Sequence, residues 1–105
     1  MNPIFENIPL VKNEVKRRFE IEIGGHYAFT NYGEFGSQIA LVHTETEPEL
    51  SGQGAASALV EKTLHYLEDK QLQLLPFCPF VFAYIKRHPD WKRIVSKNFK
   101  GYDKL

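Results

Sequence analysis

A chain of 105 residues, 43% hydrophobic and 13% aromatic, with 13 Lys/Arg against 13 Asp/Glu, suits one globular domain over 1–105 and leaves no material for a second. Zero net charge removes the global signature of a nucleic-acid binder, and apolar runs broken by proline, histidine and charge fall short of the roughly 20 residues of a membrane span. The N-terminus lacks a basic stretch followed by an apolar one, and the single cysteine, Cys78, excludes an internal disulfide and a multi-cysteine zinc site. The expectation is a cytoplasmic protein, monomeric or weakly dimeric, that binds no nucleic acid, membrane or metal.

In chain order, IPLVKNE (8–14) is a weak strand candidate, placed at a sheet edge by its proline. In RFEIEI, Phe19, Ile21 and Ile23 alternate with Glu20 and Glu22, the period of a strand with one wet face. A GG turn at 24–25, a returning strand at 26–32, a turn at 33–37 and a third strand at 38–46 complete a meander. The last of these carries apolar residues on both faces, which predicts a central position. After Pro48 the period changes: Ala56, Leu59, Val60, Thr63, Leu64 and Leu67 form the apolar stripe of a helix of about four turns. LQLLPF (72–77) reads as a short buried strand, followed by short helical stretches at 80–87 and 90–97 separated at Pro89. A strand–helix–strand unit crosses over right-handed, so the 38–46 and 72–77 strands should be parallel neighbours.

The loop ELSGQGAA therefore joins the carboxyl end of a central strand to a helix N-terminus, where unsatisfied N–H groups and the helix dipole favour an anion. Gly52 and Gly54 allow close backbone approach to a phosphate. The loop is not a P-loop, since no Gly-Lys-Ser/Thr follows, and on spacing alone a tight turn with small packing residues explains it equally well. Charge is compatible with a phosphate ligand near the second half: residues 1–50 hold 4 Lys/Arg and 8 Asp/Glu, and residues 51–105 hold 9 and 5, although most of these read as solvated faces.

SGQGAASALVEKTLHYL resembles the pyrophosphate loop and following helix of the GNAT superfamily of N-acetyltransferases, whose motif runs Gln/Arg-x-x-Gly-x-Gly/Ala; Gly54 and Ala56 fill its last two fixed positions. More narrowly, RRFEIEI, ALVHTETEPELSGQGAASALV and LLPFCPFVFAYIKRHPDW together resemble the minimal single-domain GNAT-like acetyltransferases over residues 15–95. The resemblance implies an α+β fold with a mostly antiparallel sheet, one parallel strand–helix–strand unit and helices packed on it. It also implies acetyl-CoA held between two parallel strands that splay apart. Val42, His43 and Thr44 would line one strand, Ser51, Gly52, Gln53, Gly54, Ala55 and Ala56 would form the pyrophosphate loop, and Cys78, Tyr84 and Arg87 would border the cofactor opposite. Ser51 stands where many members carry Arg or Gln, so phosphate binding would rest on backbone N–H groups. The segment that forms helices after the first strand of larger relatives has no room here, which leaves the acceptor side open.

The chemistry expected is acetyl transfer to an unidentified amine by direct attack. An amine with an ordinary pKa of about 10.4 needs a base. His43, near the end of the central strand, is of the residue type suited to that work, with Glu45 and Glu47 as alternatives acting through water or attracting a cationic amine. Tyr84, in AYIK, resembles the tyrosine that protonates the departing thiolate in the superfamily. Cys78, at the end of the 72–77 strand, reads as shaping the thioester pocket; a covalent role would require a basic neighbour, which His43 could supply across the splayed strands. Lys86, Arg87, Lys92 and Arg93 are candidates for the CoA 3′-phosphate. His26, His65 and His88 show no metal-ligand spacing. The alternative to an enzyme is a CoA-binding or interaction module without efficient catalysis.

Overall fold

The computed structural model describes residues 1–105. Its strands are β1 (Val11–Asn13), β2 (Arg18–Ile23), β3 (His26–Phe35), β4 (Gln38–Thr46) and β5 (Gln73–Pro76), and its α-helices are α1 (Ala55–Asp69) and α2 (Pro79–Arg87). They form one five-stranded sheet in the order β1-β2-β3-β4-β5, antiparallel except for the parallel β4–β5 pair. This is the α+β architecture anticipated above, with α1 as the crossover. No helix is long and apolar enough to cross a membrane.

Alternation in β2 and β3 delivers Phe19, Ile21, Ala28, Thr30 and Tyr32 to one face, and α1 lays Ala55, Ala58, Leu59, Thr63, Leu64 and Leu67 upon it. Along the helix stripe it is Ala58 that is buried, whereas Ala56 stays half-exposed at the helix start. Phe5, from a 3-10 turn at Pro3–Phe5, and Val81, Tyr84 and Ile85 of α2 complete a single cluster. The opposite face carries no helix. Arg18, Tyr27 and Phe29 lie there, with the guanidinium 4.2 Å from the Phe29 ring centroid and hydrogen-bonded to Glu20 at 2.6 Å.

Several boundaries differ from the sequence reading for identifiable reasons. The ladder Gly33↔Ala40, Glu34↔Ile39, Phe35↔Gln38 runs β3 through the glycine-bearing stretch expected to turn, so the turn contracts to Gly36–Ser37. The edge strand is confined to Val11–Asn13, and Pro9 lies outside it. Residues 90–97 are not one helix. Pro89–Ile94 is a 3-10 turn, after which Val95 pairs in parallel with Leu74 and the Ser96 N–H donates to Leu74 O at 2.9 Å. The chain thus adds a strand stub to the outer edge of β5 and covers backbone groups that would otherwise be exposed.

β4 contains a bulge. Asn31 pairs with His43 while Tyr32 pairs with Leu41, so Val42 is the extra residue. Before the bulge Ile39 and Leu41 face α1; after it, Thr44 and Thr46 do, and His43 and Glu45 are turned to the open face.

With no disulfide to brace it, the core depends on the α1–sheet contact. Replacing Leu64, fully buried, by alanine should lower the unfolding free energy by about 2–5 kcal/mol in urea titration. A loss below about 1 kcal/mol would show that this site collapses around the deletion.

Candidate functional site

β4 and β5 part after Leu41. Their last Cα pair is Leu41↔Pro76, the Phe77 N–H turns back to Leu75 O at 3.0 Å, and the Cys78 N–H makes the final bridge to Leu41 O at 2.7 Å. Pro79 then opens α2 without an N–H to offer. From Val42 to Thr46, β4 has no strand partner on that side, which leaves a cleft bounded by β4, the loop Ser51–Gly54 and α2. One concavity of about 260 Å³ is lined by Thr46, Ser51, Gly52, Gly54, Ala56, Ser57 and Phe80. A second, of about 340 Å³, shares Gly54 and Ser57 with it and continues along Ala58, Glu61, Tyr84, Arg87 and His88. Together they trace a groove over the start of α1 toward α2.

The start of α1 is uncapped. Its N-cap is Gly54, which has no side chain to satisfy the first turn, and no acidic residue occupies that turn. The N–H groups of Gly52, Gln53, Gly54, Ala55, Ala56 and Ser57 donate to no protein acceptor, and the first bond of the series is Ala58 N to Gly54 O at 3.0 Å. Gly52 and Gly54 both lie in the left-handed region, with φ of 77° and 83°, which a side chain would strain. Such a run of unspent donors at a helix N-terminus forms an anion cradle, and it requires nothing from the Ser51 side chain.

Thr44 and Cys78 meet across the cleft. Thr44 Oγ1 donates to the buried Thr30 Oγ1 at 3.1 Å and lies 3.3 Å from Cys78 Sγ. Thr44 Oγ1 and Cys78 Sγ each carry a proton and a lone pair, so the contact sets a neutral hydroxyl, and no basic group, against the thiol. His43 does not approach Cys78 from this side. The bulge at Val42 turns it to the open face, where Nε2 lies 2.9 Å from Glu45 Oε1. Val42, half-exposed, stands between the two arrangements. The residue brought against the cysteine is thus Thr44, because one inserted residue in β4 exchanges the faces.

Tyr84 is 6% exposed, and its ring lies 4.3 Å from that of His88. Burial pushes its phenol above the ordinary tyrosine range, reinforced by the Glu61 carboxylate and opposed by Arg87. Among the four cations considered for a distal phosphate, Arg87 borders the groove. Arg93 is committed to Glu68 through two bonds of 2.6 and 3.0 Å, and Lys92 lies over the Tyr102 ring at 4.5 Å.

The remaining histidines have structural partners. His65 packs edge-on to Trp91 at 4.9 Å. His26 Nδ1 lies 3.4 Å from Glu47 and 3.6 Å from Glu49, and Glu47 is steadied by the Tyr27 N–H at 3.0 Å. Spacing in the chain gave no sign of this triad, since antiparallel pairing of β3 with β4 brings the start of one beside the end of the other. Its three donor atoms lie within 4.8 Å of one another, as a small cation would require. Sequence reasoning also missed Asn2, Ser57 and Thr30. Only Asn2 carried a local signal, an asparagine before proline at the head of a turn.

Against this geometry, the family model described as GCN5-related N-acetyl-transferase matches residues 18–94, from the first residue of β2 to the end of the 3-10 turn after α2. The match takes in the bulged strand, the loop, both α-helices and β5.

The buried phenol gives a direct test. A raised pKa in the folded state means that Tyr84 contributes stability in full below about pH 10, the ordinary tyrosine value, and loses it as pH rises through the folded value. Tyrosinate absorbance of wild type minus Tyr84→Phe should therefore titrate above pH 10. A difference curve with the ordinary midpoint would mean that water reaches the hydroxyl.

Proposed function

The chain belongs to the GCN5-related N-acetyltransferase family, and from that membership, which supports acetyltransferase activity in general, we propose that it uses acetyl-CoA and delivers the acetyl group to an amine by direct attack. The observation that carries the choice of donor is the run of unspent N–H groups from Gly52 to Ser57, which fits a diphosphate in shape and charge. Beside it, the open edge of β4 from Val42 to Thr46 presents main-chain groups suited to an extended amide chain, and Arg87 at the far end of the groove suits a further phosphate.

When bound, acetyl-CoA supplies an activated thioester, so the protein has to orient it, deprotonate the amine and protonate sulfur. His43, with Glu45 on its imidazole, takes the amine proton at the open face, where the parting of β4 and β5 connects the two sides of the sheet. Tyr84 retains its proton well into alkaline solution because it is buried, and it acts as the donor to sulfur. Cys78 and Thr44 shape the pocket between them. The neighbour of the Cys78 thiol is the neutral Thr44 hydroxyl rather than a base, which favours direct transfer over an acetyl-cysteine intermediate.

The test is CoA release from acetyl-CoA against a panel of amines, with three variants. Wild type should turn over at least one amine. Gly54→Asp, which sets a carboxylate in the cradle, should abolish the rise in melting temperature produced by CoA. Tyr84→Phe should lower kcat by about 100-fold with little change in CoA affinity. Cys78→Ala should keep most activity, and intact mass should show no acetyl adduct in wild type without an amine. Binding of CoA without turnover of any amine would leave a CoA-binding or interaction module; an undiminished CoA shift in Gly54→Asp would place the ligand elsewhere.

A further inference from the structure

The anion cradle has a mechanical weakness at its centre. Gln53 is bracketed by two glycines in the left-handed region, Gly52 and Gly54. A planar peptide can rotate as a unit when the dihedrals on either side change in opposite senses. For the peptide joining residues 53 and 54, one of those dihedrals is the φ of Gly54, and glycine accepts either sign at little cost. Rotation would exchange the Gly54 N–H for the Gln53 carbonyl, replacing a donor by an acceptor in a site meant for an anion. Nothing within the loop prevents it: the one bond made by a loop side chain runs from Gln53 Nε2 to Glu49 O at 3.2 Å and leaves this peptide free.

The restraint comes from the other end of the chain. Asn2 Nδ2 donates to Gln53 O at 3.0 Å across a separation of 51 residues. The same amide caps its own turn, with Oδ1 accepting from the Ile4 N–H at 3.2 Å. With a donor required at one end and an acceptor at the other, only one orientation of the amide satisfies both. The turn is anchored in turn by Phe5, whose side chain is fully buried in the core. Because the carbonyl and N–H of a trans peptide point in opposite directions, holding the Gln53 carbonyl toward Asn2 turns the Gly54 N–H away from the N-terminal segment.

We infer that Asn2 is a positioning residue for the cofactor. It locks the peptide between Gln53 and Gly54 so that the Gly54 N–H stays available to the diphosphate. The inference rests on the reading of this loop as the diphosphate site. Asn2 touches no reacting atom in this account. Its contribution is preorganisation, since a loop already held in the binding orientation loses less freedom when the ligand arrives.

Asn2→Ser separates this role from capping, because serine caps as well as asparagine but has no amide to reach Gln53. The probes are CoA and dephospho-CoA, measured by titration calorimetry, together with nitrogen-15 relaxation and relaxation dispersion of the loop amides in the absence of ligand. Motion of the amides of residues 52–57 should increase, and the Kd of both probes should rise about fivefold to tenfold, the worth of one neutral hydrogen bond. The unliganded melting temperature and kcat at saturating acetyl-CoA should stay at wild-type values while KM rises. Asn2→Asp, which also caps but sets a carboxylate against the Gln53 carbonyl, should increase loop motion at least as much. Unchanged loop motion, or increased motion with unchanged affinity for both probes, would overturn the inference. Weakened binding of CoA alone would also overturn it, because dephospho-CoA keeps the diphosphate. Failure of wild type to bind either probe would remove the diphosphate reading itself, a result distinct from equal binding by wild type and Asn2→Ser.

Discussion

Two prolines keep β5 from following β4 to its end. Pro76 closes the strand, and Pro79, lacking an N–H, turns the chain into α2 after Cys78 has made the last bond to Leu41. A longer β5 would zip the sheet shut. As the strands stand, β4 runs from Val42 to Thr46 without a neighbour, α2 leaves at an angle that walls the gap, and the start of α1 overlooks it through the Ser51–Gly54 loop. The bulge at Val42 depends on the same freedom, since an extra residue is easier to accommodate where a strand is paired on one side only. From it follow the two faces of the site, with Thr44 and Cys78 toward the helices and His43 and Glu45 toward solvent.

The donors gathered at the Gly52–Ser57 loop belong to the backbone rather than to side chains. Net charge is zero, and Glu47 and Glu49 stand just before the loop. Both carboxylates lie against His26 at the start of β3, 3.4 and 3.6 Å from its Nδ1. Unspent N–H groups hold fixed partial charges that need no counterion and no side-chain ordering, which is how a loop with serine at its first position can still receive an anion. The cost lies in conformation, in two left-handed glycines and a peptide free to turn, and the Asn2 contact offsets it.

Much of this was legible in the sequence. Alternation in RFEIEI and the period of ASALVEKTLHYL gave the sheet meander and α1, because each buries one continuous face and the apolar spacing is forced by that burial. The parallel pairing of β4 with β5 followed from the crossover alone. What failed to show was anything decided by a single inserted residue or by contacts between distant positions. The bulge leaves no mark in QIALVHTET, so alternation could not say which of His43 and Thr44 meets Cys78. The stretch GEFGS has the composition of a turn, yet pairing with β4 carries the strand through most of it. Val95 joins β5 only because its neighbour is already in place, and the bond from Asn2 to Gln53 spans half the chain.

The account stands or falls on whether the N–H groups from Gly52 to Ser57 receive the diphosphate of CoA. Amide proton and nitrogen shifts of labelled protein titrated with CoA read those groups one by one. The expected result is a set of downfield proton shifts concentrated on Gly52 through Ser57, with smaller changes at Val42 to Thr46 and along α2 near Arg87. Saturation of the protein with CoA while the amides of Gly52 through Ser57 keep their positions would contradict it, wherever else the shifts fall.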